Sequence, residues 1–162
     1  MKKILAVIAL ACPLAAHAGI YLKIDAIKGE STNDRHKGEI DISSMQFGIG
    51  RTGQTARVCP TEVVMTKAMD SASAPLVAAA MTTTVFPKAT IAFTRPGENP
   101  VDYFTLELTN VAVFNYTTSS GGDVPSESFA LAFQSAVYKF TPQDARGGPG
   151  APLTATITRN GC

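Results

Sequence analysis

The chain has 162 residues, 45% of them hydrophobic and 17% charged, with 13 Gly, 10 Pro and no Trp. This is the composition of one folded domain and not of a disordered chain. A net charge of +1 excludes the basic excess of a nucleic-acid-binding protein, and no apolar run reaches the roughly 18 residues needed for stable membrane insertion.

The first segment, "MKKILAVIALACPLAAHA" (1–18), has a basic start at Lys2 and Lys3, an apolar stretch from Ile4 to Ala11, Pro13, and the A-x-A ending Ala16-His17-Ala18. That layout predicts a Sec-type signal peptide cleaved after Ala18, leaving a single domain over 19–162 and placing it in the periplasm or outside the cell. Lipidation at Cys12, within "ALAC", is a second reading of the same stretch. Of three cysteines, Cys59 and Cys162 remain after cleavage. In an oxidising compartment they can pair as a disulfide, or stay as two free thiols.

In "IYLKIDA" (20–26), Ile20, Leu22 and Ile24 alternate with Tyr21, Lys23 and Asp25, the period of a half-buried strand with the second set facing solvent. A charged loop, 28–38, follows. "EIDISSMQFGI" (39–49) alternates again, but the apolar parity moves from Ile40 and Ile42 to Met45, Phe47 and Ile49. Such a slip predicts a bulge or bend at Ser43–Ser44. Residues 50–60 read as a loop or a poor strand, and 61–69 as a strand. "DSASAPLVAAAMT" (70–82) predicts one helix of about three turns, with Asp70, Ser71 or Ser73 as cap and Pro75 in the first turn. Strands are expected at 88–95 (Ala89, Ile91, Phe93 inward), 101–118 (Phe104, Leu106, Leu108), 127–141 (Phe129, Leu131, Phe133) and 153–159 (Leu153, Ala155, Ile157). "PGENP", "SSGGDVP" and "PQDARGGPGAP" are the turns between them. About eight strands and one helix make a mainly β domain: a small barrel or two-sheet sandwich with a flanking helix.

The inventory for chemistry is thin. His36 is the one histidine outside the leader, set between Arg35 and Lys37. No G-x-S-x-G turn or other nucleophile motif accompanies it, and it reads as a solvated loop histidine. One His and two distant Cys match no zinc spacing, "DAIKGESTND" lacks the acids of a calcium loop, and "GGPG" and "SGG" lack the context of a phosphate loop. The carboxylate pairs Glu30/Glu39 and Glu107/Glu127 read as surface charge. No catalytic residue, metal ligand or cofactor is therefore expected.

Three stretches carry a resemblance: "YLKIDAIKGESTNDRHKGEIDI" at the start, "KAMDSASAPLVAA" at the helix, and "GGDVPSESFALAF" followed by "YKFTPQDARGGPGAP". Together, in order over residues 21 to 152, they resemble the Hcp family, the haemolysin-coregulated proteins of the type VI secretion tube. The resemblance implies a small two-sheet β-barrel with one helix. It also implies homohexameric rings that stack into a tube, spike or sheath proteins as partners, effector cargo in the lumen, and no enzymatic role. It makes loop 28–38 a ring-stacking contact, with Lys28, Glu30, Asp34, Arg35, His36 and Lys37 as its polar residues. With the leader, the chain would be an exported relative of that family. The alternative is a secreted binding module or effector that uses the fold to engage host or competitor surfaces.

Overall fold

A computed structural model describes residues 18–51, 58–97 and 100–159. The expected leader up to His17, which includes Cys12, and Cys162 lie outside the described residues. The described chain forms eleven strands and one helix: β1 Gly19–Lys23, β2 Ile40–Ile42, β3 Ser44–Gln46, β4 Ile49–Arg51, β5 Val58–Pro60, β6 Val63–Ala68, α1 Ser73–Ala80, β7 Phe86–Arg95, β8 Val101–Ser119, β9 Ser126–Ala132, β10 Ser135–Phe140 and β11 Leu153–Thr158.

Nine strands share one strongly curved sheet in the order β2-β1-β7-β8-β9-β6-β3, with β10 on the outer side of β8 and β11 beyond β10. All its pairings are antiparallel. Among the described residues no hydrogen-bond ladder closes the curl. Its two ends, β2 and β3, are joined in sequence through Ser43, whose N–H donates to the Thr66 carbonyl at 2.7 Å. Ser43 is the bend expected from the parity slip: Ile40 and Ile42 pair with β1, while Ser44 to Gln46 pair with β6.

The long strand β8 organises the sheet. Phe104, Leu106 and Leu108 are buried, but after Asn110 the buried positions become Val111 and Val113. Asn110 has φ 49, a left-handed conformation that Asn tolerates better than β-branched residues. Here the partner of β8 changes from β10, which pairs through Thr109, to β9, which pairs from Ala112. The segment expected as one strand over 127–141 is accordingly two. β9 ends at Ala132 and β10 begins at Ser135, with the Gln134 N–H on the Thr109 carbonyl at 3.0 Å. A single straight strand cannot follow both halves of a partner that changes face between them.

Helix α1 has eight residues, shorter than the three turns expected. Its Leu76 and Ala79 close the core, which also holds Leu22, Ile24, Ile40, Val63, Met65, Ile91, Phe129 and Leu131. Residues 50–60 are not only loop: β4 and β5 form a separate two-stranded ribbon. Replacing Asn110 by Val is expected to lower unfolding free energy by about 1–2 kcal/mol in urea titration, and Asn110→Gly by much less. Equal losses in the two variants would show that the left-handed backbone is not what Asn110 supplies.

Candidate functional site

The opening loop is built on two glycines. A Cβ at Gly29 would lie 2.3 Å from the Glu39 carbonyl oxygen and 2.6 Å from Ile40 Cα, so only glycine lets the two arms of the loop meet. Gly29 N–H donates to Gly38 O at 3.0 Å, Gly38 N–H to Ser31 O at 2.8 Å, and Ser31 N–H to Glu39 O at 3.0 Å. Gly38 supplies the left-handed turn, with φ 72. The tip folds back onto the outer face of β1. Asn33 accepts from the Arg35 N–H at 3.0 Å and donates its amide to the Tyr21 hydroxyl at 3.1 Å. The His36 ring stacks flat on Tyr21, with centroids 4.2 Å apart and planes 9° from parallel.

His36 is therefore not a solvated loop histidine; it is 6% exposed. Its Nδ1 meets Glu39 Oε2 at 2.8 Å, and its Nε2 meets Thr94 Oγ1 and Asp102 Oδ1, each at 3.0 Å. The Thr94 hydroxyl donates to Asp102 Oδ1 at 2.8 Å, and Arg35 approaches Asp102 Oδ2 at 3.5 Å. Asp102 reaches this face through a bulge. Phe93 opposes Phe104 but Thr94 opposes Asp102, so Tyr103 is the extra residue and Asp102 turns outward. Burial alone would raise the Asp102 carboxyl. Hydrogen bonds from Thr94 and His36, with the charges of His36 and Arg35, outweigh burial and hold it below the usual range. Burial chiefly, with the charges of Asp41, Asp102 and Glu39, raises the Tyr21 phenol against the lowering bond from Asn33.

Of the six residues expected at the loop's contact surface, Lys28, Glu30, Asp34, Arg35 and Lys37 are exposed, and His36 is buried. The loop is also fastened toward the helix, where the Ser71 N–H donates to Glu30 Oε1 at 3.0 Å. Tyr21, expected to face solvent, is buried under His36. Thr94 and Asp102 carried no signal in the sequence, because the bulge reverses the side on which simple alternation would set Asp102.

A second polar cluster lies inside the barrel. Lys67 and Glu127 are cross-strand partners on β6 and β9, both 1% exposed, so Glu127 is an interior charge and not the surface charge expected from the sequence. Lys67 Nζ contacts Glu127 Oε2 at 2.7 Å, Asp70 Oδ1 at 2.7 Å and Ser73 Oγ at 3.1 Å. Ser73 donates to Glu127 Oε2 at 2.9 Å, and the Ala72 N–H donates to Asp70 at 2.8 Å. The signal for this cluster was available: Lys67 shares the inward parity of Val63 and Met65, and Glu127 that of Phe129 and Leu131. A Ser beside a Lys has the outline of a nucleophile and its base. Here the Lys67 amine is engaged by Glu127, Asp70 and Ser73 together, and the Ser73 hydroxyl spends its proton on Glu127 and not on the lysine. Burial pushes Glu127 up, but hydrogen bonds from Lys67 and Ser73, the nearby Tyr116 hydroxyl and the Lys67 charge bring it below the usual range. Burial, with the Glu127 carboxylate beside it, drives the Tyr116 phenol up to about 12.

A third feature is an uncovered face. Ala136, Tyr138 and Phe140 of β10 oppose Leu108, Leu106 and Phe104, and β11 sets Ile157, Ala155 and Leu153 beside them. Directly opposed residues share a face, so this row continues the core side of the sheet. Yet Leu153 is 65% exposed, Tyr138 39% and Phe140 36%. Among the described residues β11 pairs only with β10.

A family model described as "Type VI secretion system effector, Hcp" matches residues 21–140. The chain belongs to the Hcp family. It is similar to the protein Hcp1 of Pseudomonas aeruginosa, at 28% identity over 146 residues, covering 83% of this chain and 90% of the relative. Among solved structures, a type six secretion system protein superposes with a TM-score of 0.81 at 26% identity, covering 88% of this chain and 96% of the other. Hcp1 of Salmonella typhimurium superposes with a TM-score of 0.75, also at 26% identity, covering 90% and 95%. This is the family of type VI secretion tube proteins, structural components of that system.

The stretches that carry the Hcp resemblance meet in space. The first supplies Tyr21, Asn33, His36 and Glu39 to the outer clasp. The helix stretch and the "PSES" stretch supply Lys67, Asp70, Ser73 and Glu127 to the inner cluster. Cys59, in β5, is disulfide-bonded, with its partner outside the described residues. Among the described residues no group of His, Cys, Asp and Glu converges to hold a metal ion, and no helix is long and apolar enough to cross a membrane.

Breaking the inner pair from one side, by Lys67→Met or Glu127→Gln, is expected to lower unfolding free energy by about 3–5 kcal/mol, whereas Lys67→Met with Glu127→Leu recovers most of the loss. Because the Glu127 and Asp102 carboxyls ionise below their usual range, the stability they contribute is complete above about pH 4 and is lost as pH falls through their lowered values. Urea titrations across the acid range should show a shallower acid limb for Glu127→Gln than for the parent chain.

Proposed function

We propose that this chain is a ring-forming subunit of the type VI tube class, exported by its leader, and that it closes into a homohexamer through the β10–β11 wing. The observation that supports this reading most directly is the uncovered core-side row of Tyr138, Phe140 and Leu153 next to the free edge of β11. An apolar sheet face beside an unpaired edge favours association. When the complementary surface lies elsewhere on an identical copy, the contact is heterologous and a closed ring satisfies every subunit. In this reading the exposed Lys28, Glu30, Asp34, Arg35 and Lys37 form the ring-on-ring contact. Spike or sheath proteins and effector cargo are its partners, and the role is structural and carrier-like, not enzymatic.

Sedimentation of the chain at micromolar concentration should give a species near six subunits. Leu153→Glu with Tyr138→Glu should convert it to a folded monomer with an unchanged circular dichroism spectrum. A parent chain that stays monomeric at every concentration would remove the ring reading.

We further propose that Cys162 is the partner of Cys59, which would tie the chain's end to the β4–β5 ribbon in the oxidising compartment reached through the leader. Thiol titration of the secreted protein, denatured without reductant, should find no free thiol. Two free thiols per chain would exclude the bond.

A further inference from the structure

Loop 28–38 is held by a ring whose two nitrogens face acceptors on opposite sides. The Thr94 hydroxyl has one proton and donates it to Asp102 Oδ1 at 2.8 Å. Toward His36 Nε2, Thr94 can then only accept, as can the Asp102 carboxylate, so Nε2 carries a proton. On the other edge Nδ1 lies 2.8 Å from Glu39 Oε2. A bare nitrogen lone pair against an ionised carboxylate at that distance is repulsive, so this contact needs a second proton. Glu39 and Asp102 lie across the ring from each other and cannot converge on one ion. The other charged groups around the ring are Arg35, on Asp102, and Asp41 of β2, whose charge acts on the stacked Tyr21 of β1. From β7, Arg95 turns away and sits 4.9 Å over the Tyr103 ring.

We infer that His36 works as a proton-dependent clasp: its doubly protonated ring binds Glu39 and Asp102 together and holds the opening loop on the barrel, and loss of the Nδ1 proton frees the Glu39 side and releases the loop. The inference concerns the chain's own loop and does not depend on ring assembly. It gives the clasp a pH window. Acid weakens it by protonating the carboxylates, and alkali weakens it by removing the one ring proton that Glu39 requires. Within the window Tyr21, stacked beneath the ring, keeps the cation out of bulk water, and the loop's exposed residues keep one arrangement. The Glu39 arm leads directly into β2, so release at this point loosens the start of that strand as well as the loop tip.

The test combines nitrogen NMR on histidine-labelled protein with limited trypsin digestion, both followed from about pH 5 to about pH 9.5, which brackets the ordinary imidazole range. The His36 signals are those missing from a His36→Gln sample. Two ring N–H signals are expected at the acid end. Loss of the Nδ1 signal should share a midpoint with a rise of about tenfold or more in cleavage after Arg35 and Lys37, normalised to an unstructured peptide. In Glu39→Gln the amide can donate to a bare Nδ1, so protection should persist through the alkaline end. A single ring N–H throughout, cleavage independent of pH, or a Glu39→Gln protein that opens with the parent's midpoint would each overturn the clasp. The NMR arm decides the parent chain even if the variant folds poorly.

Discussion

A strand of nineteen residues cannot keep one face buried while the sheet around it curls, and β8 meets this constraint by changing face. Up to Leu108 its even positions look into the core; beyond Asn110 the odd ones do, and a second irregularity falls between Phe114 and Tyr116. Most of the architecture follows from these shifts. Because the buried face changes at Asn110, the partner changes there too, and β9 and β10 must be separate strands. A third irregularity, opposite Phe93 and Thr94, turns Asp102 outward. One strand thus sets the sheet order, the break in the following segment and one anchor of the outer clasp.

The polar clusters sit where strands alone do not fix the chain. The inner one joins the start of α1 to β6 and β9. Its gain in stability over an apolar replacement is small, since desolvation of both ions offsets much of their attraction. Its geometry is demanding, however: Ser73, Asp70, Lys67 and Glu127 fit together in one placement of the helix. The outer cluster does the same for the opening loop, which ties to β1, β7 and β8 through Tyr21, Thr94 and Asp102 and to the pre-helix segment through Glu30. A loop so fastened presents its exposed charges in a defined arrangement, as a polar contact surface requires. Charged, Gly-bearing composition was a sound guide to exposure at five positions and a poor one at His36, which lies among partners brought from distant strands.

The wing formed by β10 and β11 carries core-side residues past the end of the core, and among the described residues no further strand pairs with its outer edge. The other side of the wing is Thr-rich, with Thr154, Thr156 and Thr158 in a row, so the two faces of one ribbon differ sharply in character. A sheet built this way is suited to continuing into a neighbour. This accords with membership of a family of type VI secretion tube proteins.

The sequence by itself determined the class of fold, most of the strand positions, the bend at Ser43 and the single helix, because period-two alternation and turn residues are local signals; it did not show the break between β9 and β10. Three ordered stretches also determined the family. Tertiary structure decided where alternation stops being reliable. A bulge costs one residue and leaves no mark in composition, so the outward turn of Asp102 could not be read. Leu153, Ala155 and Ile157 alternate as a half-buried strand should, but whether anything covers them depends on how far the core extends. Lys67 and Glu127 were legible in principle, as opposite charges at inward positions. Recognising them as partners required the β6–β9 register, which residues sixty positions apart reveal only when the chain has folded.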